Sequence, residues 1–167
     1  FSRKIIIEKG LYIVATPIGN INDISIRALK VLNDSDTIIC EDTRVSKNLF
    51  SHLGLQVKKK NWLIYNDYSD EKDINNILNE LNKDKVISLI SDAGTPLISD
   101  PGYKLIRKVQ KTRHNIFSLP GPCSAIASLV VSGLKTDKFC FLGFLPKKKN
   151  DYVATLREYS KLNYSVI

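Results

Sequence analysis

Four carboxylates, Glu41, Asp42, Asp92 and Asp100, stand where the chain could do proton chemistry. Each falls at the carboxyl end of an apolar strand-like run or in the turn beyond it. Such a group can take a proton from a substrate hydroxyl; the same aspartates could equally cap turns through their side-chain oxygens. Around them lie three loops, Thr16 to Asn20, Ser91 to Gly102 and Pro120 to Ala125, poor in reactive side chains and rich in Gly, Pro and small hydroxyls. Loops of this composition hold a ligand by backbone contact more than by side-chain charge. Neither G-x-x-x-x-G-K-[ST] nor G-x-G-x-x-G after a strand is present, so the familiar phosphate-cradling motifs are excluded. His52 and His114, the only histidines, are not placed beside a nucleophile, and Cys40, Cys123 and Cys140 have no metal-ligand spacing. No metal site is expected, and the thiols read as free and buried.

The elements that must position these groups alternate strand and helix. Leu11–Ala15 reads as a first strand, followed by a helix carrying Ile26, Leu29 and Leu32 on one face with Ser25 as its N-cap. Thr37–Cys40 is a second strand that delivers Glu41 and Asp42, and a helix then runs to about Leu53 and stops at Gly54. Trp62–Tyr65 is a third strand. Ile74, Ile77, Leu78 and Leu81, at i, i+3, i+4 and i+7, define a helix. Val86–Ile90 is a short buried strand leading into two back-to-back turns, Asp92 to Pro96 and Ser99 to Gly102, and then an amphipathic helix. Asn115–Leu119 is the next strand, a helix with Ile126, Leu129 and Val130 follows, and Lys138–Phe144 reads as the last strand of the unit. This order predicts an α/β fold, an open mostly parallel sheet flanked by helices with its ligand crevice at the strand carboxyl ends. Residues 147–167 read as a linker and the start of a second α/β domain, after a first domain over residues 1–146.

The formal net charge is +8 and is unevenly spread. No acidic residue lies between Pro101 and Thr136, a window holding Lys104, Arg107, Lys108, Lys111, Arg113 and Lys135. The first four, at i, i+3, i+4 and i+7, would give one basic helix face opposite Leu105, Ile106 and Val109. That face is either solvated or in contact with RNA phosphates. No apolar run approaches a membrane span, and Phe1-Ser2-Arg3-Lys4 does not open a signal peptide, so a cytoplasmic location with no membrane partner is expected.

Five stretches in order carry a resemblance. They are Leu11 to Asn20, Glu41-Asp42-Thr43-Arg44, Ser91 to Gly102, Leu119 to Ile126 and Gly143-Phe144-Leu145-Pro146. Together they resemble the ribosomal RNA small-subunit methyltransferase I family of the tetrapyrrole-methylase superfamily, over nearly all of Gly10 to Pro146. The resemblance implies S-adenosylmethionine-dependent methylation of a cytidine ribose 2′-hydroxyl in the decoding region of small-subunit ribosomal RNA. It also implies a homodimer with two α/β domains per subunit and the ribosomal RNA or the small-subunit particle as partner. By position it makes Pro17, Ala93, Gly94, Thr95, Pro96, Ile98, Ser124 and Ala125 cofactor-binding. With that reaction in view, Glu41, Asp42 and Asp100 are candidates for the catalytic base. Arg44 would hold a phosphate or pair with one of those acids, beside Lys104, Arg107, Lys108 and Lys111 as RNA contacts. Family members often carry a histidine-containing stretch after the third strand, where this chain has Tyr65-Asn66-Asp67-Tyr68-Ser69-Asp70. Two other readings compete: a superfamily methylase acting on a corrin or a protein, and a non-catalytic RNA-binding module.

Overall fold

The structure is a computed structural model that describes residues 6–167. Short, nearly continuous apolar runs build a five-stranded sheet from β1 (Gly10–Val14), β2 (Thr37–Cys40), β3 (Asn61–Ile64), β4 (Val86–Leu89) and β5 (Ile116–Leu119). Every neighbouring pair is parallel, in the order β3-β2-β4-β1-β5. Parallel strands need crossover helices, and here these are α1 (Ile26–Asp34), α2 (Thr43–His52), α3 (Glu71–Leu81) and α4 (Tyr103–Val109). Leu11, Ile13, Ile39, Ile87 and Leu89 face α3 and α4 in one buried cluster. Tyr12, Val14, Ile38 and Cys40, from the opposite side of the pleat, pack with Ala28, Val31 and Leu32 of α1 and Phe50 of α2 in the other. The two faces follow from chirality: the chain steps one way across the sheet through α1 and α2 and the other way through α3 and α4. A right-handed crossover must change face when it changes direction.

Local chemistry sets the helix ends. Ser25 caps α1 by accepting from the Ala28 N–H, as its sequence position predicts. Asp70 caps α3 and forms a reciprocal capping box with Asp73, so this helix begins a turn before its apolar stripe. Where β2 starts, Thr37 donates to Glu80 of α3 at 3.2 Å, and Lys83 and Lys85 pair with the same carboxylate. The two lysines, Lys83 first, hold the nearly buried Glu80 carboxyl down to about 2. A carboxyl held below its ordinary 4.5 adds stability that is complete above that value and is lost as pH falls through about 2. Glu80→Gln is therefore expected to cost about 2 kcal/mol in urea unfolding at pH 7, and the gap should close as the titration is repeated towards pH 2.

The chain packs as two compact units, one ending at Pro122 and the other Cys123–Ile167. The second holds α5 (Ser124–Val131), β6 (Phe139–Cys140), α6 (Lys149–Tyr159) and β7 (Ser165–Val166). Lys138–Phe144, expected as the last strand of the first unit, does not form as such. Only Phe139 and Cys140 are in strand, and they pair in parallel with β7 as a separate two-stranded sheet. The boundary expected at residue 146 thus lies inside the second unit, and Lys149 and Asn150, read as linker, open α6. The thiols are free, but only Cys40 is buried; Cys123 and Cys140 are partly exposed. No helix among the described residues is long and apolar enough to cross a membrane.

Candidate active site

The strand order makes the loops after β1 and β4 leave neighbouring strands in opposite directions, the point at which open α/β sheets place a ligand. Those two loops are tied together directly. Thr16 and Gly94 form an isolated antiparallel bridge, with Thr16 N–H donating to Gly94 O at 2.8 Å and Gly94 N–H to Thr16 O at 3.0 Å. The buried Thr16 hydroxyl adds a bond to Ser91 O at 3.3 Å. Pro17 is buried beside this bridge. Gly94 sits at φ +87, and a Cβ there would come within 3.2 Å of Ile18 Cδ1. The loop after β5 is held by a third tie, Thr95 Oγ1 donating to Pro122 O at 2.8 Å. Gly121 permits it, because a Cβ there would stand 2.9 Å from the Ala15 Cβ.

Beyond Pro96, itself buried, the double turn is strained. Leu97 and Ser99 both adopt left-handed backbone, φ 70 and φ 60, and between them Ile98 is held exposed. Ala93 is exposed beside the bridge and Thr95 half-buried. Thus Pro17, Ala93, Gly94, Thr95, Pro96 and Ile98 belong to two loops that the structure brings together. Ser124 and Ala125 open α5 in the second unit, the first exposed and the second buried.

Carboxylates gather at the same edge. Glu41 follows β2, and its pKa is pushed up to about 7, first by burial and then by the negative charges of Asp100 and Asp92, with Asp67 adding to them. Asp100 is raised by burial and by Asp92 and Asp67, with the Ser91 hydroxyl pulling the other way. Asp92 is raised by burial and then by Asp42. Asp42 has a different place: it caps α2 by accepting from the Arg44 N–H and pairs with the Arg44 guanidinium at 2.6 Å. Those bonds hold its carboxyl down to about 2. Arg44 is accordingly paired with an acid rather than standing alone. Of the three candidate bases, Glu41 and Asp100 share the cluster with raised pKa values, and Asp42 is an ionised cap.

Asp67 was not singled out from the sequence. It lies in the Asn66–Ser69 turn, where Tyr68 N–H donates to Asn66 Oδ1 and Asn66 N–H to Ser69 Oγ. Residues of that kind read as turn chemistry, and only the pairing of β2 with β3 places them beside Glu41. Among the described residues no three His, Cys, Asp or Glu side chains converge to hold a metal ion.

The basic helix forms as expected through Val109, with Leu105 and Val109 buried and Lys104, Arg107 and Lys108 exposed; Lys111 lies in the turn that follows. Lys108 pairs with Glu71 of α3 at 3.1 Å.

The sheet order and the loops tied across its carboxyl edge define an open, doubly wound α/β domain. The model of the Tetrapyrrole (Corrin/Porphyrin) Methylases matches residues 10–162, and the chain belongs to that family. It is 51% identical over 142 residues to the protein named ribosomal RNA small subunit methyltransferase I of Rickettsia prowazekii (strain Madrid E), covering 85% of this chain and 50% of that one. Proteins of the same name are 45% identical over 138 residues in Escherichia coli O157:H7 and 40% identical over 152 residues in Halalkalibacterium halodurans. These matches cover 83% and 90% of this chain, and 47% and 52% of those proteins. The chain spans about half the length of these curated relatives. Among solved structures, a cobalt precorrin-4 methyltransferase of cobalamin biosynthesis superposes with a TM-score of 0.63 at 18% identity, covering 89% of this chain and 64% of that one. The uroporphyrin III C-methyl transferase of Thermus thermophilus superposes at 0.55, also at 18% identity, covering 78% and 57%. These two share the fold.

Proposed function

We propose that this protein is a cytoplasmic S-adenosylmethionine-dependent methyltransferase. Its acceptor is a cytidine ribose 2′-hydroxyl in the decoding region of small-subunit ribosomal RNA, met as RNA or as the 30S particle, and it works as a homodimer. The observation that carries this reading is a carboxyl poised near neutral pH, Glu41, on the same sheet edge as the tied small-residue loops, in a chain 40–51% identical to proteins of that name. The residues present fit the cofactor. The bare Cα of Gly94 keeps open a cradle that a side chain would fill against Ile18, the partly exposed Ile18 and Ile98 offer apolar contact, and the carboxylate edge complements a sulfonium cation.

When bound, S-adenosylmethionine supplies a methyl group on a positively charged sulfur whose leaving form is a neutral thioether. No acid is needed for departure, so this chain's work is alignment, exclusion of water and removal of one proton. Pro17, Ala93, Gly94, Thr95, Pro96 and Ile98 would hold the cofactor, which would offer its methyl carbon to the ribose oxygen. Glu41, as carboxylate, takes the hydroxyl proton. Asp92, Asp100 and Asp67 keep Glu41 basic enough for that transfer, and the ties at Thr16, Gly94 and Thr95 hold the loops in place.

The test supplies methyl-labelled S-adenosylmethionine to the intact gene product with 30S particles, bare ribosomal RNA and a corrin control. Label recovered as 2′-O-methylcytidine from RNA supports the reading. Label in the corrin or in protein assigns another acceptor, and no label with no cofactor binding leaves a non-catalytic RNA-binding module.

A further inference from the structure

Two concavities adjoin at α4 and share Tyr103 and Lys104. The inner one, about 220 Å³, is lined by Tyr65, Asn66, Asp67 and Ser69 after β3 and by Asp100, Pro101 and Gly102 of the double turn. Two members of the carboxylate cluster, Asp67 and Asp100, therefore stand in its wall. The outer one, about 320 Å³, is lined by Arg107, Lys108, Lys111 and Glu71. Its walls are long cationic side chains, of which Lys108 alone has an ion-pair partner among the described residues.

Tyr103 stands at the junction with 68% of its surface exposed. An aromatic ring so exposed is normally free to turn, but this one is steadied. The Arg107 guanidinium lies over the ring at 5.9 Å and donates to the Tyr103 hydroxyl at 3.2 Å. The result is a fixed flat surface between a polar hole and a cationic groove.

We propose that Tyr103 is a stacking platform for a base of single-stranded RNA next to the reacting nucleotide. Lys104, Arg107 and Lys111 hold the adjoining phosphates, and the inner cavity receives the reacting nucleoside. A cationic groove punctuated by an aromatic ring is the arrangement that tracks a single strand, because phosphates repeat along it and every base has a face to stack. An acidic peptide would use the lysines and leave the ring without a role. A single sugar and base extruded from the strand suit the inner cavity, and polar groups at its wall meet a nucleoside's hydrogen-bonding edge. The assignment rests on RNA being the substrate and adds the residue that positions it.

The test measures anisotropy of a labelled 12-nucleotide oligocytidylate, and of the same strand with abasic sites, on the full-length protein, with cofactor affinity followed separately by calorimetry. Tyr103→Ala is expected to weaken oligocytidylate binding about 10- to 100-fold, Tyr103→Phe to keep it within about 3-fold, and both to leave cofactor affinity unchanged. The abasic strand should bind the wild type weakly and be indifferent to Tyr103→Ala. Lys104→Ala should lower the salt slope by about 1 at any sequence. Oligocytidylate binding that Tyr103→Ala leaves intact overturns the platform and spares the proposed function. A wild type that binds no RNA but binds polyglutamate overturns both.

Discussion

Glu41→Gln is expected to lower turnover about 100- to 10,000-fold, the range for loss of a positioned base, while cofactor affinity stays within a few-fold. The change is nearly isosteric and removes only the ability to take a proton. In the wild type the rate should rise with pH through about 7, as Glu41 loses its proton, and then level off. In the variant that rise should disappear. Stability should move the other way. A carboxyl whose folded pKa stands at about 7, above its ordinary 4.5, favours the fold while protonated, and the fold pays for its ionisation as pH rises through that interval. Glu41→Gln should therefore raise the Tm at pH 8.5 and change it little at pH 4. A variant both inactive and less stable at pH 8.5 would show that Glu41 is a packing residue and not a base. Asp42→Ala supplies the contrast: loss of the side chain frays the start of α2 and frees Arg44, so its effect should appear in stability.

Gly94→Val is expected to reduce cofactor affinity at least 100-fold. A β-branched residue at φ +87 is strained by about 2 kcal/mol, and its first side-chain carbon meets Ile18 Cδ1 at 3.2 Å. Relief requires Gly94 to move, yet its N–H and C=O are both committed to Thr16. The two loops must therefore separate or the cradle must fill, and either outcome removes the surface offered to the cofactor. Calorimetric titration with S-adenosylmethionine measures the loss, and circular dichroism establishes that the variant remains folded. Unchanged affinity would place the cofactor away from this loop.

The strands and helices of the first unit were legible because their signals are local. The apolar stripe of Ile74, Ile77, Leu78 and Leu81, the Ser25 cap and the runs that became β1, β2, β4 and β5 each contain their own information. Strand pairing is not local. Lys138–Phe144 has the composition of a strand, but nothing in it says that only two residues would pair, or that β7 would be their partner. The site shows the same division. The small-residue loops could be read from composition, and the structure ties two of them through Thr16 and Gly94. Asp67 could not be found, since it joins Glu41 and Asp100 only through the folding of a separate strand. Tyr103 had a signal that was available, an aromatic residue immediately before a run of cations, but its steadying by Arg107 is visible only in three dimensions.

The position of β1 also governs the order in which this protein can fold. β1 comes first in the chain, yet both its neighbours in the sheet are strands made much later, with Gly10 opposite Val86 and Leu11 opposite Ile116. During synthesis its five apolar residues must wait, both edges unpaired, until β4 and β5 have left the ribosome. Closing such long loops is slow, and exposed strand edges are points of mistaken association. The Thr16–Gly94 tie is subject to the same delay, so a nascent chain lacks the paired loops until β4 arrives. Slower translation or a higher growth temperature should therefore cost this protein yield before it costs the finished molecule stability.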